Sequence, residues 1–241
     1  MIGYPFAMKF SVSKDKLLEG LATVQNVVST RTTLPILSNV LLQASDGEIR
    51  LTTTDLDVGV RVSVEARVER TGATTLPARR LFSIVRELPA SEIYFDVDTK
   101  NVASIRSGSS YFKILGLPEE EFPSLARFED AKIFTIAQKV LKDGLKKTSY
   151  AISTDETRYV LNGILFSFKD NKLTLVATDG RRLALVDLEV EFPRSQETEI
   201  IVPAKAITEI QRLVHEEGEV KLSIGQNQIA FELNRTLLVP S

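Results

Sequence analysis

The chain writes one stretch twice. Residues 37–61, LSNVLLQASDGEIRLTTTDLDVGVR, align without a gap on residues 161–185, LNGILFSFKDNKLTLVATDGRRLAL, at an offset of 124. Leu37 falls on Leu161, Val40 on Ile164, Asp46 on Asp170, Leu51 on Leu175, Thr54 on Thr178 and Asp55 on Asp179. Upstream, residues 10–30 lie on 134–154 with Gly20 on Gly144; downstream, at an offset of 126, residues 76–88 lie on 202–214. A solenoid repeat is roughly 20–50 residues long, so a period of this size predicts a duplicated domain. The 241 residues divide into two domains of ordinary size, roughly 120 residues each. The expected limits are 8–125 and 126–241, with residues 1–7 as a disordered extension. The second copy stops at Ser241 before any counterpart of residues 115–125, LGLPEEEFPSL, which predicts a chain ending inside its second repeat.

Within each copy a smaller pattern recurs. A short strand (9–12 or 133–136) leads into a helix whose apolar residues return at helical spacing, Leu17, Leu18, Leu21, Val24, Val27 and Val28 in one, Val140, Leu141, Leu145, Tyr150 and Ile152 in the other. Strands follow. Val58, Val60, Val62 and Val64 alternate, as a half-buried strand requires. The turn sequences SDGE (45–48) and KDNK (169–172) join two such runs as hairpins. Pro77 and Pro203 mark the start of a second helix, where a missing N–H costs nothing. Three further strands close each copy, over 93–97, 102–107 and 111–115, and over 220–224, 229–233 and 237–239. Each copy thus reads as two βαβββ half-repeats, an α+β unit of two antiparallel sheets and two helices. Residues 116–131 read as an acidic, proline-bearing linker.

Composition excludes several classes. There is no cysteine, so no disulfide or thiolate chemistry, which is compatible with the cytoplasm. One histidine and two methionines leave few soft metal ligands, and no cofactor is expected. No apolar run approaches the length of a membrane span. The net charge of −2 is unremarkable, but its distribution is not. The four predicted helices, 14–28, 78–88, 138–149 and 203–214, hold eleven bases and five acids, a balance of +6 that leaves −8 for the rest of the chain. Amphipathic helices accept lysine and arginine readily, but they accept glutamate equally well, and glutamate is scarce here. A basic helical face on an otherwise acidic protein attracts a phosphate backbone without reading bases.

The wording of several segments carries a resemblance. MKF (8–10), TLPILSNVLL (33–42), TTDLDV (53–58), GATTLPAR (72–79), YVLNGILF (159–166) and VATDGRRLA (176–184) occur in the order found in the bacterial DNA sliding clamps, the beta subunits of the replicative polymerase. The resemblance runs from Met8 to the end of the chain and implies tandem DNA-clamp domains, the first two of three, in a non-enzymatic processivity factor. Members of that family pair head to tail into a ring around double-stranded DNA, helices inward. They tether the DNA polymerase and meet the clamp loader through short linear peptides. For this chain the resemblance implies DNA contacts from Arg31, Arg79, Arg80, Lys139, Lys142, Lys146, Lys147, Tyr159, Lys205 and Arg212. Arg31 can equally be a solvated loop arginine, and its second-copy counterpart, STDETRY (153–159), carries Asp155 and Glu156 where a base would serve DNA better. The peptide pocket is implied at Leu161, Thr178, Gly180, Arg181, Arg182 and Leu183. Thr–Asp recurs in the first copy and so reads as structural, whereas Gly180 to Leu183 is the part peculiar to the second copy. Where Arg181 stands, the family often has histidine. Without the third domain, this chain is expected to remain monomeric.

Two rival readings compete. One is a two-domain clamp of the archaeal and eukaryotic type, which closes as a trimer. The other is a metal-dependent nuclease using Asp55, Asp57 or Asp179, which would need several convergent carboxylates.

Overall fold

The computed structural model describes residues 6–28, 34–89, 91–126, 128, 130–226 and 228–240. The chain divides into two compact units, Met1–Ser124 and Leu125–Ser241, one residue before the expected boundary. Unit 1 runs β1 (Phe6–Ser13), α1 (Lys14–Val24), β2 (Asn39–Ser45), β3 (Glu48–Thr54), β4 (Val58–Arg70), β5 (Gly72–Pro77), α2 (Ala78–Glu87), β6 (Glu92–Asp98), β7 (Val102–Ser107) and β8 (Ser110–Leu115). Unit 2 repeats the order with β9 (Lys132–Ala137), α3 (Gln138–Thr148), β10 (Gly163–Lys169), β11 (Lys172–Thr178), β12 (Leu183–Glu189), β13 (Thr198–Pro203), α4 (Ala204–Leu213), β14 (Glu219–Ile224), β15 (Ile229–Leu233) and β16 (Thr236–Pro240). These are the βαβββ half-repeats, with four α-helices among the described residues.

The two copies pack their first helices at matching positions. Each first helix lays a buried stripe on its sheet, Leu17, Leu21 and Val24 in α1, Leu141 and Leu145 in α3. A glycine lets each helix approach closely. A Cβ at Gly20 would lie 2.7 Å from Val64 Cγ2 and 3.0 Å from Leu51 Cδ1; at Gly144 it would lie 2.8 Å from Leu175 Cδ1 and 2.9 Å from Leu188 Cδ1. Those partners are themselves 124 residues apart. Phe10 stacks on Phe95 at 4.6 Å between ring centroids, and Phe134, its counterpart, stacks on Phe168 at 3.9 Å. Both hairpin turns take the expected form. Asp46 and Gly47, like Asp170 and Asn171, all sit at positive φ, which the turn needs to match the strand twist.

In unit 1, β5, β2, β3 and β4 form one antiparallel ladder and β8, β7, β6, β1 and β4 another. The strand common to both is β4. Its first half pairs with β3, ending at Glu48↔Glu65, and its second half pairs with β1, beginning at Val12↔Ala66. Unit 2 lacks this bridge. Its ladders are β12-β11-β10-β13 and β16-β15-β14-β9, and β12 stops at Glu189. Pro193, at the place of Glu69, has no N–H with which to extend the ladder further. Beside it Phe192 turns inward and meets Phe134 and Phe168 edge to face.

Several expectations need correcting. Phe6 and Ala7, expected within a disordered extension over residues 1–7, belong to β1, where Phe6 pairs with Asp98; residues 1–5 lie outside the described residues. Helix α1 ends at Val24, not Val28. Val27 and Val28 are buried, but their N–H groups bond three residues back, to Val24 and Gln25, in a tightened turn. Pro77 and Pro203 are the last residues of their strands and cap α2 and α4 from outside. Tyr150 does not join the apolar stripe of α3. It falls in a 3-10 turn, Ser149–Ala151, and is 57% exposed. The segment after β8 is anchored to unit 1. Leu117 bonds both ways with the Thr75 backbone, and Phe122 packs with Ile36, Leu37 and Leu41.

Candidate nucleic-acid and peptide interfaces

In unit 1, α1 packs against α2, and in unit 2, α3 packs against α4, so each unit presents a pair of helices. The buried stripe of each helix leaves its bases outward. On α2, Ala78, Leu81 and Val85 are buried while Arg79 and Arg80 are exposed. On α3, Leu141 and Leu145 are buried while Lys139, Lys146 and Lys147 are exposed. Lys205 and Arg212 are exposed on α4. Arg79 also lines a shallow recess with Gln25, Asn26, Phe82 and Ser83.

The helical bases are not equivalent. Lys14 Nζ donates to the carbonyl of Leu88, just beyond the end of α2, at 2.6 Å, and Lys16 pairs with Glu65 on β4. Lys142 pairs with Glu216 at 2.6 Å, and Arg212 with Glu209 at 3.3 Å. The Glu216 carboxyl is held below the usual carboxylate range, first by its bond from Lys142, with Lys139 and Lys146 adding their field. Arg79, Arg80, Lys139, Lys146 and Lys147 make no ion pair among the described residues. These five are the bases best placed to meet an external anion.

The second candidate site is a turn that both units build with the same bonds. In unit 2, Thr178 Oγ1 donates to the Arg182 carbonyl at 2.7 Å and accepts from the Gly180 N–H at 3.1 Å. Asp179 Oδ1 accepts from the N–H groups of Arg181 and Arg182 at 2.9 and 3.0 Å. Those two backbone bonds hold the Asp179 carboxyl below its ordinary range, and the Arg182 side chain adds to the effect. In unit 1, Thr54 Oγ1 bonds the Val58 carbonyl at 3.2 Å and the Leu56 N–H at 3.1 Å, and Asp55 Oδ1 takes the N–H groups of Asp57 and Val58. The Thr–Asp pair is therefore a turn staple in both copies. Asp55 and Asp179, two of the three carboxylates of the nuclease reading, are each committed to backbone N–H groups.

What differs is the decoration. Gly180 sits at φ +87°; its counterpart Leu56 holds φ +79°, a conformation that costs a branched side chain energy. Arg182 reaches back to Asp179 Oδ2 at 3.1 Å and lays its guanidinium over the Tyr150 ring, 5.6 Å from the centroid. It therefore rests on an aromatic ring. Leu183 is 62% exposed at the start of β12, and Leu161 is half-buried. The neighbouring loop is closed by Asp155, which accepts from Thr157 and from Arg158 Nε at 2.9 Å. Beyond it Tyr159 and Val160 stand open to solvent. Arg31 lies outside the described residues.

Sequence reasoning missed Tyr150, Val160 and Leu185, which add to the exposed apolar surface of unit 2. A signal was available for Leu185. LALVDL places apolar residues on both faces of β12, and only Ala184, Val186 and Leu188 can turn toward α3.

Family models supply the remaining observation. The model described as DNA polymerase III beta subunit, N-terminal domain, matches residues 8–126, and that described as the central domain matches residues 135–240. The chain belongs to the bacterial sliding clamp family. The beta sliding clamp of Chlamydia muridarum is 39% identical over 232 residues, 96% of this chain and 63% of that protein. The beta sliding clamp of Bacillus subtilis is 31% identical over 95% of this chain and 63% of its own length. The chain thus spans somewhat less than two thirds of the clamps it matches. Among solved structures, the Bacillus subtilis clamp superposes with a TM-score of 0.93 at 30% identity, over 97% of this chain and 64% of that one. The Bartonella birtlesii clamp, solved bound to griselimycin, gives 0.90 at 40% identity, over 97% and 64%. Sliding-clamp membership of the bacterial type sets aside both rivals, the two-domain trimeric clamp and the nuclease. No helix among the described residues is long and apolar enough to cross a membrane.

Proposed function

We propose that the chain acts in a DNA polymerase processivity factor, a ring that surrounds double-stranded DNA and performs no chemistry. The supporting observation is the set of outward bases on α2 and α3 that make no ion pair among the described residues. A closed ring cannot leave a duplex without opening. Sequence-independent contacts to phosphate are then sufficient, and weak contacts keep sliding easy. The ring is a head-to-tail homodimer of complete clamp chains, working on the chromosome in the cytoplasm. The staple turn of unit 2, from Leu161 across Thr178 and Gly180 to Leu183, receives a short peptide from the polymerase or the clamp loader. Holding a polymerase there raises its effective concentration at the template. The bound griselimycin in the Bartonella birtlesii clamp supports a ligand site on clamps of this type.

The test follows from the ion pairing. Replacing Lys139, Lys146 and Lys147 with glutamate removes three bases that make no ion pair among the described residues. Duplex association should weaken for every sequence alike, and the salt dependence should flatten by about two to three in log–log slope. An unchanged slope, read by fluorescence anisotropy across a salt series, would refute the phosphate assignment.

A further inference from the structure

We propose that Arg181 makes the unit 2 patch selective for a peptide that carries a carboxylate beside its apolar anchors, an inference that rests on the peptide-docking reading above. Three arginines flank the patch, and two of them are already neutralised. Arg158 is paired with Asp155 and Arg182 with Asp179, each within its own turn. Arg181 is the exception. Its backbone N–H is fixed to Asp179 Oδ1 at 2.9 Å, yet its exposed guanidinium meets no carboxylate among the described residues. Glu156 on the neighbouring loop makes no ion pair with it either. The main chain is thus held while the charge is left available.

The surroundings define what that charge can read. Leu183, two residues on, is 62% exposed, and Leu185 on the same face of β12 is 58% exposed. A guanidinium at the edge of an apolar surface suits a ligand that buries aliphatic or aromatic groups and offers a planar carboxylate to the arginine fork. Internal duplication provides a control. At the same turn position unit 1 has Asp57, of opposite sign, and where unit 2 has Leu183 unit 1 has Gly59. The basic group and the apolar anchor occur together in one copy and are both missing from the other. Electrostatic complementarity of this kind selects among partners more than it adds affinity.

The test uses two fluorescent nonapeptides that share a leucine and a phenylalanine anchor and differ only in one Asp or Asn between them. Each is titrated with the 241-residue chain at roughly 50 mM salt, where surface charges are little screened. The Asp peptide should bind about threefold to fivefold more tightly than the Asn peptide, the range of a solvent-exposed ion pair. Arg181→Gln should abolish that ratio and Arg181→Glu should reverse it, with the melting temperature unchanged. A ratio that survives Arg181→Gln overturns the inference. Equal binding of both peptides by the unaltered chain overturns the inference and leaves the docking reading standing; binding of neither overturns both. A short duplex forms a further arm. Should Arg181→Gln weaken duplex binding and leave the peptide ratio alone, the arginine serves DNA and the inference fails.

Discussion

Two turns in this molecule share every staple bond and differ in what they carry. Thr54–Val58 and Thr178–Arg182 are closed by the same threonine and aspartate, with distances agreeing to within about half an ångström. Unit 1 finishes its turn with Leu56, Asp57, Val58 and Gly59, unit 2 with Gly180, Arg181, Arg182 and Leu183. Duplication separates architecture from function here. Residues common to both copies hold the backbone, and residues that changed in one copy bear on what the turn meets. A single turn would not have allowed that distinction, because Asp179 beside two arginines looks as much like a binding group as like a backbone staple.

The contrast can be broken at its ends and at its middle. The largest effect is expected at Leu183. Leu183→Ala in unit 2 forfeits on the order of 60 Å² of apolar contact with a docked peptide, about 1.5 kcal/mol or roughly tenfold in affinity. Duplex binding and melting temperature should stay the same, as the side chain is largely in solvent. Normal peptide titration by that variant would place the docking site elsewhere.

A smaller difference should separate the two threonines. Thr54 is 3% exposed, whereas the bonds of Thr178 lie near solvent. Thr54→Val leaves the Leu56 N–H without its partner and takes one of two donors from the Val58 carbonyl, and should cost about 1–2 kcal/mol by denaturant unfolding. Thr178→Val, whose orphaned groups can reach water, should cost less than about 1 kcal/mol. Equal costs would show that the staple bonds are worth the same wherever they sit, and burial would cease to explain the difference.

The smallest effect concerns the positive-φ position. Leu56→Gly should relieve strain and stabilise unit 1 by up to about 1 kcal/mol, because little apolar burial is lost at a half-exposed site. Gly180→Ala should destabilise unit 2 by about 1 kcal/mol from backbone conformation alone, since nothing but an Arg158 nitrogen lies within 4 Å of the new Cβ. Opposite shifts in unfolding free energy support the reading; shifts of the same sign contradict it.

Much of this architecture was legible in the residues. The duplication, the half-repeat order and the hairpins at Asp46–Gly47 and Asp170–Asn171 followed from alternation and turn chemistry, which are local. The limits of α1 were not. Val27 and Val28 keep helical spacing in sequence, but burial, not continued α-helix, explains why they are apolar. Nor was the length of β4, because whether a strand passes from one sheet into another depends on what lies beyond it. At the candidate site, the composition of the turn could be read, but ion pairing could not. Lys142 reads like Lys146 in the sequence, and only the fold brings Glu216, 74 residues away, to within hydrogen-bonding distance of one of them. Tyr150 likewise matches an apolar stripe until the chain tightens at Ser149 and turns the ring outward beneath Arg182.

The passage of β4 between ladders has a mechanical side. A load applied to the β6–β7–β8 edge of unit 1 travels through β1 into β4 and along covalent bonds into β3, so both sheets share it. In unit 2 the ladder of β12 ends at Glu189, and beyond it Phe192 wedges against Phe134 and Phe168. Unit 1 thus carries a load from one sheet to the other along a single continuous strand, whereas among the described residues of unit 2 the two ladders meet through packed rings.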